Sequence, residues 1–111
     1  MRYDREFLSG TVTVLILSLL SERPMYGYEM LREIEARSAK EFLLKEGTLY
    51  PALHTLERAG VLRSQWREAE SGRQRKYYAL TAKGRRHAKI KRHMWESVTA
   101  ATQTILVQSN G

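Results

Sequence analysis

Residues 46–53, Glu46-Gly47-Thr48-Leu49-Tyr50-Pro51-Ala52-Leu53, decide the fold of this chain. Pro51 lacks a backbone N–H, which is harmless only in the first turn of a helix, so a helix must start near Gly47. Gly60 is a favourable helix terminator. Four residues fall on one face at 100° per residue: Leu49, Leu53, Leu56 and Gly60. The stretch therefore predicts a helix over about 47–60 with a buried leucine face.

The opposite face of this helix is small, polar and aromatic, which is unusual for a surface that meets only water. It carries Gly47, Pro51, His54 and Arg58, with Tyr50 and Thr55 at its margins. A helix N-terminus presents free N–H groups and a positive dipole end to phosphate, and these side chains have groups that reach base edges or backbone. A simple capped helix start explains the same residues, so this face alone does not establish DNA binding.

Two further helices and a connector precede this one. Apolar residues recur at helical spacing up to about Glu22, with Asp4 or Ser9 as the cap: Leu8, Val12, Leu15, Ile16, Leu19 and Leu20. Pro24 ends this helix by disfavouring helical geometry at Arg23. A second helix is predicted over about 26–38, and residues 39–46 are a short extended connector.

A hairpin and a long helix follow. Apolar and polar residues alternate in 62–66 and less cleanly in 76–80, on either side of a Gly72-centred turn. Within the second strand Tyr78 is expected in the core and Tyr77 on the outside. Thr81 caps a last helix that runs from Ala82 to about Gln108.

The last helix carries a narrow apolar stripe with tryptophan beside it. Its members are Ile90, Met94, Val98, Ala101 and Ile105, with Trp95 adjacent. Such a stripe suits a partner helix better than a deep core, so these six residues are the predicted interface of a homodimer.

The excess of positive charge is concentrated in the second half of the chain. The 111 residues carry a net charge of +7, and cysteine is absent. Residues 1–60 have 8 basic and 9 acidic side chains, whereas residues 81–111 have 6 basic and 1 acidic. A polarised basic region is typical of nucleic-acid binders, although a solvated helix face gives the same charge pattern. Without cysteine a disulfide scaffold, a Cys-based zinc site and a thiol nucleophile are excluded.

The order helix, helix, connector, helix, hairpin predicts a mainly α (α+β) winged helix-turn-helix with a long C-terminal dimerisation helix. Residues 1–80 form the DNA-binding domain, and residues 81–111 form the dimerisation helix, packed with residues 1–22. The helix at about 47–60 would enter the major groove, and the wing at about 66–78 would lie on the backbone. The apolar run 11–20 is half the length that spans a bilayer, so we expect a cytoplasmic protein without membrane contact.

Five segments also resemble PadR-family transcriptional regulators, over about residues 8–108. They are Tyr26-Gly27-Tyr28-Glu29-Met30, the stretch 46–53, Leu56-Glu57 with Gly60-Val61-Leu62, Arg73-Gln74-Arg75-Lys76-Tyr77-Tyr78, and Leu80-Thr81-Ala82-Lys83-Gly84. A single C-terminal helix is similar to the short subclass, in which multidrug-sensing repressors are the nearest relatives. The resemblance implies a ligand-responsive repressor that binds a near-palindromic operator as a homodimer.

Pattern and resemblance together give a set of candidate site residues. Those expected to contact DNA are Tyr28, Gly47, Thr48, Tyr50, Pro51, His54, Arg58, Gly72, Arg73, Arg75, Lys76 and Tyr77. The resemblance places a flat aromatic effector beside Trp95, with walls from Met94, Val98, Leu8, Val12 and Leu15. An aromatic of the dimer interface is the alternative explanation of Trp95.

No catalytic, metal or cofactor site is predicted. His54, His87 and His93 share no helix face, and Asp4 is the one aspartate in the sequence. Two alternatives stay open: a non-specific architectural DNA- or RNA-binding protein, and a basic protein-interaction module without DNA affinity.

Overall fold

The helical spacings of the sequence correspond to four helices in the computed structural model, which describes residues 5–109 and the side chains from Leu8 onward. The elements are α1 (Arg5–Leu20), β1 (Met25–Tyr26), α2 (Gly27–Arg37), α3 (Glu46–Arg58), β2 (Leu62–Glu68), β3 (Gln74–Leu80) and α4 (Ala82–Gln108). The predicted fold class, a winged helix-turn-helix with a long C-terminal helix, is confirmed. Asp4 lies outside the described residues, and Ser9 lies within α1, so Ser9 does not cap it.

The core forms where α1, α2 and α3 meet the inner face of the sheet. Ile16, Met30, Leu49 and Leu53 have no exposed surface, and Tyr78 is 1% exposed, which confirms its predicted place in the core. Burying each such aliphatic side chain contributes about 1.5–3 kcal/mol, so the leucine face of α3 is a main source of stability.

The sheet has three antiparallel strands in the order β1-β3-β2. The strand β1 was not predicted, because two residues are too short to show a period; its Met25 pairs with Tyr78. The hairpin also extends further than predicted, to Glu68 and Gln74. Its turn closes with a hydrogen bond of 2.8 Å from Ala69 N to Arg73 O, and Gly72 adopts a φ of 86° there, a conformation that glycine tolerates without strain.

The start of α4 belongs to the core, whereas its second half projects from it. Thr81 caps α4 as predicted, with its Oγ1 accepting a 3.0 Å hydrogen bond from Gly84 N. Gly84 and Ala88 are buried, and Arg92 donates a 2.8 Å hydrogen bond to Ser18 of α1. From Arg92 to Ser109 every residue of a single chain is exposed. None of the helices in residues 5–109 has the length and apolar content needed to cross a membrane.

Candidate nucleic-acid interface

The outer face of α3 is open, as the spacing of its residues predicts. Gly47, Thr48, Pro51, His54 and Arg58 are all exposed, while the leucines on the other side are buried. The face begins at the N-terminus of α3, where unpaired backbone N–H groups and the helix dipole favour a negatively charged ligand. These five candidates therefore lie together on a surface that a DNA groove can reach.

Tyr50 differs from these neighbours because it is half-buried against the start of α2. An added Cβ on Gly27 would lie 2.5 Å from Tyr50 Cζ, so the ring rests directly on the glycine backbone. Burial raises the pKa of the Tyr50 hydroxyl above its usual value, and the nearby Glu46 carboxylate acts in the same direction. Glycine at position 27 thus fixes where the Tyr50 hydroxyl lies.

The wing divides its candidate residues between two faces of the sheet. Residues facing α3 include Lys76 and its cross-strand partner Trp66, beyond the buried Tyr78. The opposite face, which we call the outer wing face, carries Arg63, Arg67, Arg75 and Tyr77. The exposed turn presents Gly72 and Arg73 at the tip. Cations therefore occur on both sides of the hairpin and at its end.

On the outer wing face, arginines stack on tyrosine rings. The Arg67 guanidinium lies 3.9 Å from the centre of the Tyr77 ring, and the edge of Tyr26 meets the same ring at 5.4 Å between centroids. Arg75 reaches over Tyr26 at 5.2 Å, and its buried Nε has no hydrogen-bond partner in the part of the chain that the structure describes. Tyr77 is consequently partly covered by these neighbours and lies on the face of the sheet away from α3.

An open cleft lies between the start of α2, α3 and the wing. We call it the aromatic cleft; its lining residues are Tyr26, Gly27, Tyr28, Tyr50, His54, Trp66, Arg75, Lys76 and Tyr78. Sequence reasoning missed Trp66 as a site residue, because the alternation of apolar and polar residues in a strand does not show which apolar side chains are buried. The strand extends past the core, however, and leaves Trp66 67% exposed.

The residues predicted to surround an effector lie in two separate places in a single chain. Leu8 and Val12 line a groove with Gly47, Thr48 and Pro51 of α3. Met94, Trp95 and Val98 are 52%, 41% and 59% exposed on the projecting part of α4. An effector pocket that includes Trp95 therefore stays a prediction that depends on a second copy of the chain.

Replacing Gly27 by alanine is expected to weaken DNA binding about tenfold while leaving the fold largely intact. The new methyl group displaces the end of the Tyr50 side chain, which can swing into solvent, rather than backbone. The pKa of Tyr50 should then fall toward its ordinary value, because the hydroxyl gains water. Fluorescence anisotropy with a DNA duplex and absorbance titration at alkaline pH measure the two effects.

Gly10→Ala is the matched control for this substitution, since Gly10 has open space around its α-carbon. It should change neither the DNA affinity nor the titration. Unchanged DNA affinity in Gly27→Ala, together with a lowered pKa of Tyr50 that shows the ring has moved, would show that the position of Tyr50 does not matter for binding.

An exposed helix over a buried leucine face, followed by a cationic hairpin, defines the winged helix-turn-helix class of nucleic-acid-binding proteins. Residues 16–90 match the family described as transcriptional regulator PadR-like, and the chain belongs to this family. A transcriptional regulator of Mycobacterium tuberculosis is 36% identical over 81 residues, which span 73% of this chain and 72% of that protein.

Transcriptional regulators are also found among the solved structures that are similar to this chain. A transcriptional regulator from Clostridium thermocellum is 33% identical, with a TM-score of 0.79 over 89% of this chain and 96% of that one. A PadR-like regulator from Bacillus cereus is 25% identical, with a TM-score of 0.80 over 91% and 96% of the two chains. The chain is therefore a transcriptional regulator of the PadR-like family, whose members bind DNA.

Proposed function

We propose that the protein is a ligand-responsive repressor that binds a near-palindromic operator as a homodimer. The observation that carries this proposal is the exposed outer face of α3 beside a cationic wing. In each protomer α3 enters a major groove, where Thr48, Tyr50, Pro51 and His54 carry sequence preference. Arg73 at the wing tip, Arg75 and Lys76 contact the sugar–phosphate backbone, and the two half-sites lie about 34 Å apart.

The proposed homodimer forms through α4, as in a short PadR-like regulator with one C-terminal helix. Seven of the exposed large apolar side chains belong to α4: Ile90, Met94, Trp95, Val98, Ile105, Leu106 and Val107. Exposed apolar surface of this extent marks an interaction site. Residues 81–111 serve dimerisation and residues 1–80 DNA binding, and the Arg92–Ser18 hydrogen bond supports packing of α4 on residues 1–22.

A flat aromatic effector is proposed to bind between the two copies near Trp95. The partly exposed indole of Trp95, with Met94 and Val98 beside it, supplies stacking surface and an adaptable wall. Leu8, Val12 and Leu15 of α1 complete the pocket in this proposal. Quenching of Trp95 fluorescence by a planar aromatic compound is the direct measurement.

Fluorescence anisotropy tests the repressor proposal with two labelled duplexes, the intergenic DNA upstream of the protein's own coding sequence and a scrambled control. A preference of about 10³-fold or more supports a specific regulator. Equal, steeply salt-dependent binding to both duplexes favours the architectural alternative. Absence of binding to either favours the protein-interaction module.

Removing a wing cation should weaken binding to every DNA sequence alike. Arg73→Ala at the tip and Arg75→Ala on the outer wing face each delete a charge, so the slope of log affinity against log salt should flatten by about one for each phosphate that is no longer neutralised. Lys40→Gln removes one exposed charge at the far end of α2 and is the control. If both arginine variants behave like the control, the wing does not contact the backbone.

A further inference from the structure

Dimerisation through α4 leaves three large exposed apolar side chains in the described part of the winged-helix unit unexplained, and two of them share one cleft. Outside α4, the exposed large apolar residues among those described are Tyr28, Leu43 and Trp66. Leu43 lies alone in the connector between α2 and α3, whereas Tyr28 and Trp66 line the same aromatic cleft. Both side chains are accessible, with 49% and 67% of their surface exposed. Two exposed aromatic side chains in one cleft indicate that the cleft binds a ligand.

The side chains that line the cleft indicate the chemical class of this ligand. Within the described part of the chain its lining is aromatic, cationic or neutral, without a carboxylate. Lys76 is the cross-strand partner of Trp66, so a cation lies beside the indole, and His54 borders the cleft from α3. Aromatic surface combined with positive charge suits a ligand that presents both apolar ring edges and phosphate.

We propose that the aromatic cleft receives a sugar–phosphate segment of duplex DNA, with the Trp66 indole packed against a deoxyribose. This inference rests on the proposed DNA-binding function and adds a contact to it. Base faces are covered by their neighbours within a duplex, so an indole on the side of the wing meets sugar and phosphate instead. The indole N–H is a donor for a phosphate oxygen, and Lys76 neutralises the same segment.

The neutral side chain of Trp66 distinguishes this contact from the charge–charge contacts that the wing cations make with phosphate. Trp66 carries no charge, so its truncation should lower affinity without changing the number of released counterions. Because the segment is backbone, the loss should be equal for every DNA sequence. Lys76→Ala, in contrast, should flatten the salt dependence.

The experiment compares Trp66→Ala, Trp66→Phe and Lys76→Ala in binding to the upstream duplex and its scrambled control at two salt concentrations. Trp66→Ala should weaken both complexes about tenfold, as truncating a buried interface tryptophan does, with an unchanged salt slope. Trp66→Phe should recover most of the loss. Leu43→Ala, which removes an equally exposed apolar side chain outside the cleft, is the control and should bind as the unsubstituted protein does.

A second measurement uses Trp95→Phe, in which Trp66 is the remaining tryptophan. Adding DNA should change Trp66 emission and protect it from iodide quenching. Trp66→Ala binding within twofold of the unsubstituted protein overturns this inference alone. So does iodide quenching unaffected by DNA, measured at DNA concentrations where anisotropy shows that the Trp95→Phe variant is bound. A loss confined to the upstream duplex overturns the backbone assignment in favour of base contact. If the unsubstituted protein binds neither duplex, the repressor proposal fails, and this inference fails with it.

Discussion

Gly84→Ala is expected to destabilise the fold by about 3 kcal/mol, a large fraction of the roughly 5–15 kcal/mol that stabilises a domain of this size. A Cβ at Gly84 would overlap the carbonyl oxygen of Val61 and lie 3.1 Å from its carbonyl carbon. The obstructing atoms are backbone, so no side chain can rotate away. The helix α4 would have to move from the sheet.

That movement would also break the junction between the wing and α4. Thr81 Oγ1 donates a 2.7 Å hydrogen bond to Gly60 O and accepts one from Gly84 N, while Thr81 N donates to Val61 O at 3.1 Å. The bond from Thr81 N uses the same Val61 carbonyl oxygen that a Cβ at Gly84 would overlap. The loss of stability should therefore exceed that of an ordinary packing change.

Thermal unfolding followed by circular dichroism measures this prediction, at equal protein concentrations because a dimer's midpoint depends on concentration. A decrease of roughly 15 °C is expected. Gly47→Ala is the control, since nothing lies within 4 Å of its Cβ position, and it should unfold like the unsubstituted protein or slightly later. Equal midpoints for the two variants would mean that α4 shifts at little cost.

Local patterns in the sequence were sufficient to predict the framework of the fold. The leucine face of α3, the buried Tyr78 and the Thr81 cap each follow from spacing or from residues within one turn. Helical and strand periods are properties of neighbouring residues, and so they appear in the sequence directly. The exposed apolar stripe of α4 was predictable for the same reason.

Contacts between distant segments were not predictable in this way. Tyr50 rests on Gly27 and Gly84 on Val61, and in each pair the residues are more than twenty positions apart. The alternation in β2 did not show where the core ends, and so it did not reveal that Trp66 is exposed. The short β1 and the division of the wing cations between two faces also depend on how the sheet is assembled.

Charging the α4 stripe should have the largest effect on DNA binding. Met94→Glu combined with Val98→Glu places two carboxylates per chain in the proposed dimer seam, where both side chains are more than half exposed in a single chain. The isolated chain should fold normally, because surface substitutions of this kind rarely destabilise. Pairing of two such chains would bury uncompensated charge, so the protein should become monomeric.

The loss of affinity follows from the loss of the second recognition helix. In a dimer the second half-site is bound intramolecularly, which raises affinity by about 10²–10⁴-fold over one protomer. The double variant should therefore bind the upstream duplex at least about 10²-fold more weakly, with a lower salt slope, since fewer phosphates are contacted. Light scattering reports the oligomeric state and anisotropy the affinity.

Thr99→Glu combined with Gln103→Glu supplies the matched control. It adds the same charge at the same spacing on the polar side of α4, where both residues are exposed. The control adds equal electrostatic repulsion toward DNA. A difference in DNA affinity between the two variants therefore measures the effect of disrupting the dimer seam. A Met94/Val98 variant that stays dimeric, or that loses no more affinity than the control, would show that α4 does not join the two copies through this stripe, and the Trp95 effector pocket would lose its second wall.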